Sequence, residues 1–170
     1  MAILRITKHG EPILKKVSPL VDYEALRPDL PRLLKDMWTT LYSVQGVGLA
    51  APQVGRSLRL SVVDVRPGGK SQRLVLINPE IVAREGAVFE EEGCLSLPGI
   101  YARIKRYARV RLRASDARGR PFEMEGTGLL ARAFQHEVDH LDGKLFIDHL
   151  SFAEKLKVLS LIKDVRRDWT

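Results

Sequence analysis

The chain has 170 residues, 45% hydrophobic and 29% charged, with no long biased tract, which bounds it to a single globular domain over residues 1–170 with a substantial core. No apolar run approaches the roughly 18 residues a membrane span needs, and MAILRITKHGEPILKK at the start lacks the apolar block of a secretory signal, so a cytoplasmic location and no membrane partner are expected. The 28 Lys and Arg against 21 Asp and Glu give +7, an excess that favours polyanions, yet acidic residues interleave with the basic ones and few aromatics accompany them; a solvated face, without DNA binding, is expected.

The stretch 28–45 carries Leu30, Leu33, Leu34, Met37, Trp38, Leu41 and Val44 at helical spacing, which predicts an amphipathic helix with Gly46 placed to end it. LRLSVVDV (58–65), RLVLINPEI (73–81), ARIKRYARVRLRAS (102–115) and PFEMEG (121–126) are β-branched or alternating runs bounded by turn clusters such as RPGGK and DARGR. Their short links predict strands paired mostly antiparallel. Helical spacing returns over 127–141 with Gly143 as its stop, and SFAE at 151–154 has the form of a capping box that opens a last helix to about Val165. The expected class is α+β, without repeats or linkers.

AFQHEVDHLDG, residues 133–143, places His136 and His140 about 40° apart around a helix axis, so both imidazoles leave one face and can reach a single ion. Glu137 stands one step round, suited to proton transfer beside the ion rather than ligation. Two surface histidines on an ordinary helix are the simpler alternative. Against it, Leu129, Leu130, Ala133, Phe134, Val138 and Leu141 make the helix largely buried, and buried imidazoles need partners.

A catalytic metal site needs a third protein ligand and an open position. The longer metalloprotease pattern fails at position 146, which is Phe146; Glu154 and Asp164 are carboxylate candidates, although the cap accounts for Glu154. That leaves Cys94, the single cysteine, within EEEGCLSLPG, where glycine and Pro98 predict an irregular segment with free backbone amides. GVGLAAPQVG (46–55) matches a Gly-x-Gly-x-x-Ala dinucleotide fingerprint, with Asp64 at the distance of a ribose-binding acid, but it follows a helix instead of a strand, and the fingerprint is rejected.

Taken together and in this order, GVGLAAPQVG, EGCLSLPG and QHEVDHLDG closely resemble the peptide deformylase family, over most of the chain from PILKKVS to the final helix. The resemblance implies antiparallel or mixed sheets surrounding a central helix that bears the His-Glu-x-x-His motif, followed by a C-terminal helix. It implies removal of the formyl group from the N-terminal formylmethionine of newly made polypeptides, with metal-bound hydroxide attacking the formyl carbon. Carried onto this sequence, Cys94, His136 and His140 bind one divalent metal, Fe²⁺ expected and Zn²⁺, Ni²⁺ or Co²⁺ possible. Glu137 moves protons, and the Gln53 side chain with the Leu95 backbone N–H holds the oxyanion. The peptide lies extended beside Gly48 and Gly99 to Tyr101; Val47, Leu129 and Ala133 border the methionine pocket, Arg132 lends its stem to the wall, and Glu92 pairs with Arg106 to support the cysteine segment. A plain surface salt bridge is the simpler reading of that last pair.

Two rivals remain: a zinc endopeptidase using the same helix, against which Phe146 and the cysteine motif count, and a basic ribosome- or RNA-binding module with a structural metal, which leaves Glu137 and Gln53 without purpose. A ribosome contact through Lys155, Lys157, Lys163, Arg166 and Arg167 of the last helix is compatible with the enzyme reading.

Overall fold

The computed structural model describes residues 1–169. Four α-helices, α1 (Tyr23–Leu26), α2 (Leu30–Ser43), α3 (Gly128–Leu141) and α4 (Phe152–Val165), and five short 3-10 helices accompany seven strands among the described residues. The strands are β1 (Gly48–Ala50), β2 (Leu60–Asp64), β3 (Arg73–Glu85), β4 (Val88–Cys94), β5 (Leu97–Arg106), β6 (Arg109–Ser115) and β7 (Pro121–Thr127). Five form one sheet in the order β1-β2-β3-β6-β7, β4 and β5 form a separate hairpin, and every pairing is antiparallel.

Strand alternation explains how α2 and α3 come to share that sheet. Along β2 and β3, Val63 and Leu76 pack with Phe134 and Val138 of α3, while Val62 and Ile77 pack with Leu34, Met37 and Leu41 of α2. Covered on both sides, β2 is buried at every residue, as its continuous apolar run requires. A third cluster joins Leu97, Ile100 and Ile104 of β5 to Phe146, Ile147 and, on α4, Val158 and Ile162. The central helix thus lies with the sheet on one side and the hairpin on another.

Several expectations need correction. The run 102–115 is not one strand: it breaks after Arg106, and its halves enter different sheets. The Gln135 side chain fills the break, its Oε1 accepting from the Tyr107 N–H at 2.9 Å and its Nε2 donating to the Tyr107 carbonyl at 3.0 Å, bonds that a continuous ladder would have supplied. Strands β4 and β1 were not expected; VFEEEGC has three successive glutamates, which disfavour strand by propensity, and pairing with β5 overrides them. At the end of α2 the left-handed residue is Gln45 (φ 54°), not Gly46, whose N–H closes the turn on the Leu41 carbonyl at 2.9 Å. Gly143 (φ 71°) and the reciprocal Ser151–Glu154 cap stand where the sequence placed them.

Candidate metal centre

Cys94 ends β4 at a register shift that turns its sulfur off the ladder and toward α3. There His136 and His140 present their rings edge to face, centroids 4.9 Å apart. His140 Nε2 is 3.3 Å from Cys94 Sγ and 3.2 Å from His136 Nε2. Tetrahedral bonds of metal–N and metal–S length separate their donor atoms by roughly 3.3 to 3.6 Å, so the spacing fits one ion. The donor chemistry fits as well. His136 Nδ1 lies 2.9 Å from Glu92 Oε2, an arrangement that keeps the proton on Nδ1 and leaves the Nε2 lone pair aimed at the other two ligands. Among the described residues, these three form the His, Cys, Asp and Glu group whose donor atoms converge.

The other candidate ligands are engaged elsewhere. Glu154 caps α4 through Ser151, and Asp164 is exposed on α4. Phe146 is 1% exposed and stacks on the His136 ring at 6.5 Å, so the residue that breaks the metalloprotease pattern packs a ligand in place. Asp64 is no ribose contact: it is buried, accepting from Tyr42, Ser71 and the Gln72 N–H.

Glu92 and Arg106 do not form a surface bridge. They are 8% and 5% exposed and paired through two bonds, Arg106 Nε to Oε1 at 2.7 Å and Nη2 to Oε2 at 3.0 Å. Arg106 Nη1 continues to Asp139 Oδ2 at 2.6 Å, and that oxygen lies 2.7 Å from His149 Nε2. Neither Asp139 nor His149 was singled out by the sequence; the spacing from 106 to 149 carries no local signal. Burial alone raises the Glu92 carboxyl, but the Arg106 guanidinium and the His136 ring outweigh it and hold it at about 2. Burial likewise raises the Cys94 thiol, and the two imidazoles outweigh it, keeping sulfur well below its usual value and inclined to thiolate. Glu137 is the opposite case: 2% exposed, with Oε2 lacking a hydrogen-bond partner among the described residues, its carboxyl is pushed by burial up to about 7.

Gln53 occupies a 3-10 turn (Ala51–Val54) after β1 and is 1% exposed. Its Oε1 accepts from the Ala50 N–H at 2.9 Å, which orients Nε2 toward Cys94 Sγ at 3.6 Å and Ser96 Oγ at 3.2 Å. Residues 7–9 tie this turn to the tip of the β4–β5 hairpin, a link the sequence did not suggest: Thr7 N–H donates to the Gln53 carbonyl, His9 N–H to the Ser96 carbonyl and Lys8 Nζ to the Leu95 carbonyl at 3.3 Å.

A cavity of about 730 Å³ opens beside these groups. Val47, Gly48, Gly99, Tyr101, Leu129, Arg132 and Ala133 all line it, together with Gln53, Cys94, Leu95, His136 and Glu137. The Arg132 guanidinium lies 3.4 Å from the Glu91 carbonyl. The arrangement brings together three donors that could hold a metal, a buried carboxyl with an unpartnered oxygen, a side-chain amide and a recess.

A model of the polypeptide deformylase family matches residues 3–156. The peptide deformylase of Alkalilimnicola ehrlichii is 49% identical, covering 93% of this chain and 88% of its own length. That of Elusimicrobium minutum is 42% identical over 100% of both. The crystal structure of a peptide deformylase from Legionella pneumophila aligns with a TM-score of 0.90 at 43% identity, over 98% of this chain and 96% of that one.

Proposed function

The chain belongs to the polypeptide deformylase family, and from that premise we propose how its residues release formate from the N-terminal formylmethionine of new polypeptides. The observation that carries the reading is the convergence of Cys94, His136 and His140 with the Glu137 carboxyl beside them at the head of the cavity. Cys94, His136 and His140 would hold a divalent cation, which would supply Lewis acidity toward the formyl carbonyl and water.

Glu137 takes a proton from the attacking water and delivers it to the departing amine; burial raises its carboxyl, and a cation held by the three ligands would lower it again. Gln53 Nε2, steered by its bond from Ala50, and the Leu95 N–H donate to the oxygen on which charge develops. Glu92, fixed by Arg106, orients His136. The methionine side chain enters the recess bordered by Val47, Leu129 and Ala133, with Arg132 on its rim, while the peptide backbone runs past Gly48 and Gly99 to Tyr101.

For the cation we propose Fe²⁺; one thiolate and two imidazoles also accept Zn²⁺, Ni²⁺ or Co²⁺. The enzyme acts in the cytoplasm, where such peptides emerge, and docks at the ribosome through the basic residues of α4 and its end; Lys157, Lys163, Arg166 and Arg167 are exposed there. No helix is long and apolar enough to cross a membrane among the described residues. The test is formate release from formyl-Met-Ala-Ser by anaerobically purified protein with its metal content measured. Formate release that tracks bound metal is expected; cleavage of internal peptide bonds without formate release overturns the reading in favour of an endopeptidase.

A further inference from the structure

We infer that Gly48 is a positioning residue for Glu137, its missing side chain forming the seat in which that carboxyl rests. A Cβ built at position 48 meets Glu137 Oε1 at 2.2 Å, Cδ at 2.8 Å and Cγ at 3.1 Å. Its three nearest neighbours are therefore all one side chain. Backbone conformation does not call for glycine here: Gly48 lies in extended β1, outside the left-handed region that Gly55, Gly99 and Gly143 occupy. Approach of a substrate backbone, the role the sequence suggested, is not needed to explain it either.

The seat matters because one oxygen of the carboxyl has no polar anchor. Glu137 Oε2 has no hydrogen-bond partner among the described residues, so contact has a share in setting where the group lies. The backbone on both sides of that contact is fixed. Strand β1 is paired with β2, Gly48 opposite Val63, and the preceding Val47 carbonyl accepts from the Asp64 N–H at 2.8 Å. On the other side, α3 is anchored by buried Phe134 and Val138 on either side of Glu137. A proton-transfer group must come within about 3 Å of the atoms it serves, and a shift of about 1 Å is enough to cost on the order of 100-fold in rate. A single methyl group at position 48 forces a displacement of about that size.

The inference rests on the proton-transfer role proposed for Glu137, and its test separates the two. Gly48→Ala should keep its metal and its KM for formyl-Met-Ala-Ser within about threefold while kcat falls on the order of 100-fold. In metal-free protein it should lower Tm by roughly 2 to 12 °C, the scale of overpacking in a chain of this size. Added to Glu137→Ala, the same substitution should move Tm by less than about 2 °C, because the group it strikes is gone. An equal Tm loss in both backgrounds, or a raised KM with kcat retained, overturns the seat and returns Gly48 to substrate approach. If Gly48→Ala alone does not fold, a folded double variant supports the seat and an unfolded one overturns it. Full activity of Glu137→Ala would instead end the proton-transfer role, leaving the stability cycle to decide the contact by itself.

Discussion

On the hairpin side of the cavity His136 is bound to Glu92, Glu92 to Arg106 and Arg106 to Asp139, each link with at least one charged partner and mostly buried. On the β1 side, Glu137 has an unpartnered oxygen and rests against a glycine, and Gln53 is held by one neutral bond from Ala50 and a shared contact to Ser96. The difference matches the roles proposed for the two groups, His136 as ligand and Glu137 as proton carrier. A ligand needs one orientation and one protonation state, which charge-assisted bonds secure. A proton carrier must change state in every cycle, and a strong bond to either form would pin its pKa; steric contact places it without choosing a form.

The sharpest way to break this contrast is Glu137→Gln, which keeps shape and metal but removes the titrating group. Turnover of formyl-Met-Ala-Ser should fall about 10²- to 10⁴-fold at equal metal content. Wild-type-like turnover by the loaded variant would show that the β1 side carries no proton transfer.

Arg106→Met tests the hairpin side, leaving Glu92 and Asp139 buried without their cation. Unfolding should become easier by about 3 to 5 kcal/mol, a Tm loss on the order of 10 °C, and metal should dissociate faster in a chelator chase. A change below about 1 kcal/mol would mean that the network is incidental to the ligand.

Ala133→Phe probes the recess between the two sides. Ala133 is 7% exposed and borders both cavity and core, so the variant is first checked for cooperative unfolding. Losing burial of a Met-sized side chain should cost roughly 1.5 to 3 kcal/mol, about 10- to 150-fold in kcat/KM for formyl-Met peptides, and little for formyl-Gly peptides. Equal losses for both substrates would move the methionine elsewhere.

The smallest expected effect is in acid stability. Glu92 has a folded value of about 2, below the usual carboxylate value of about 4.5, so it binds its proton more weakly when folded. Its contribution is present above pH about 4.5 and is lost as pH falls toward 2. Metal-free wild type should lose Tm more steeply across that window than Glu92→Gln; matching slopes would remove Glu92 from the acid response.

What the sequence determined by itself is whatever depends on near neighbours. The four-residue step from His136 to His140, the Ser151–Glu154 cap, the stop at Gly143 and the apolar faces of α2 and α3 are short-range, and a helix repeats them wherever it is placed. The three quoted motifs further brought the ligand set and Gln53 within reach by resemblance. Only the tertiary structure decided that 102–115 divides at Tyr107, that glutamate-rich 88–94 is a strand, that Glu92 and Arg106 are buried and continue to Asp139 and His149, and that Glu137 occupies the Cβ space of Gly48. Apart from the 88–94 hairpin strand, each joins residues well separated in the chain, from Tyr107 and Gln135 to Gly48 and Glu137. Their physical cause is the satisfaction of polar groups and the exclusion of overlap once helix, sheet and hairpin close on one another, and local composition carries no record of either.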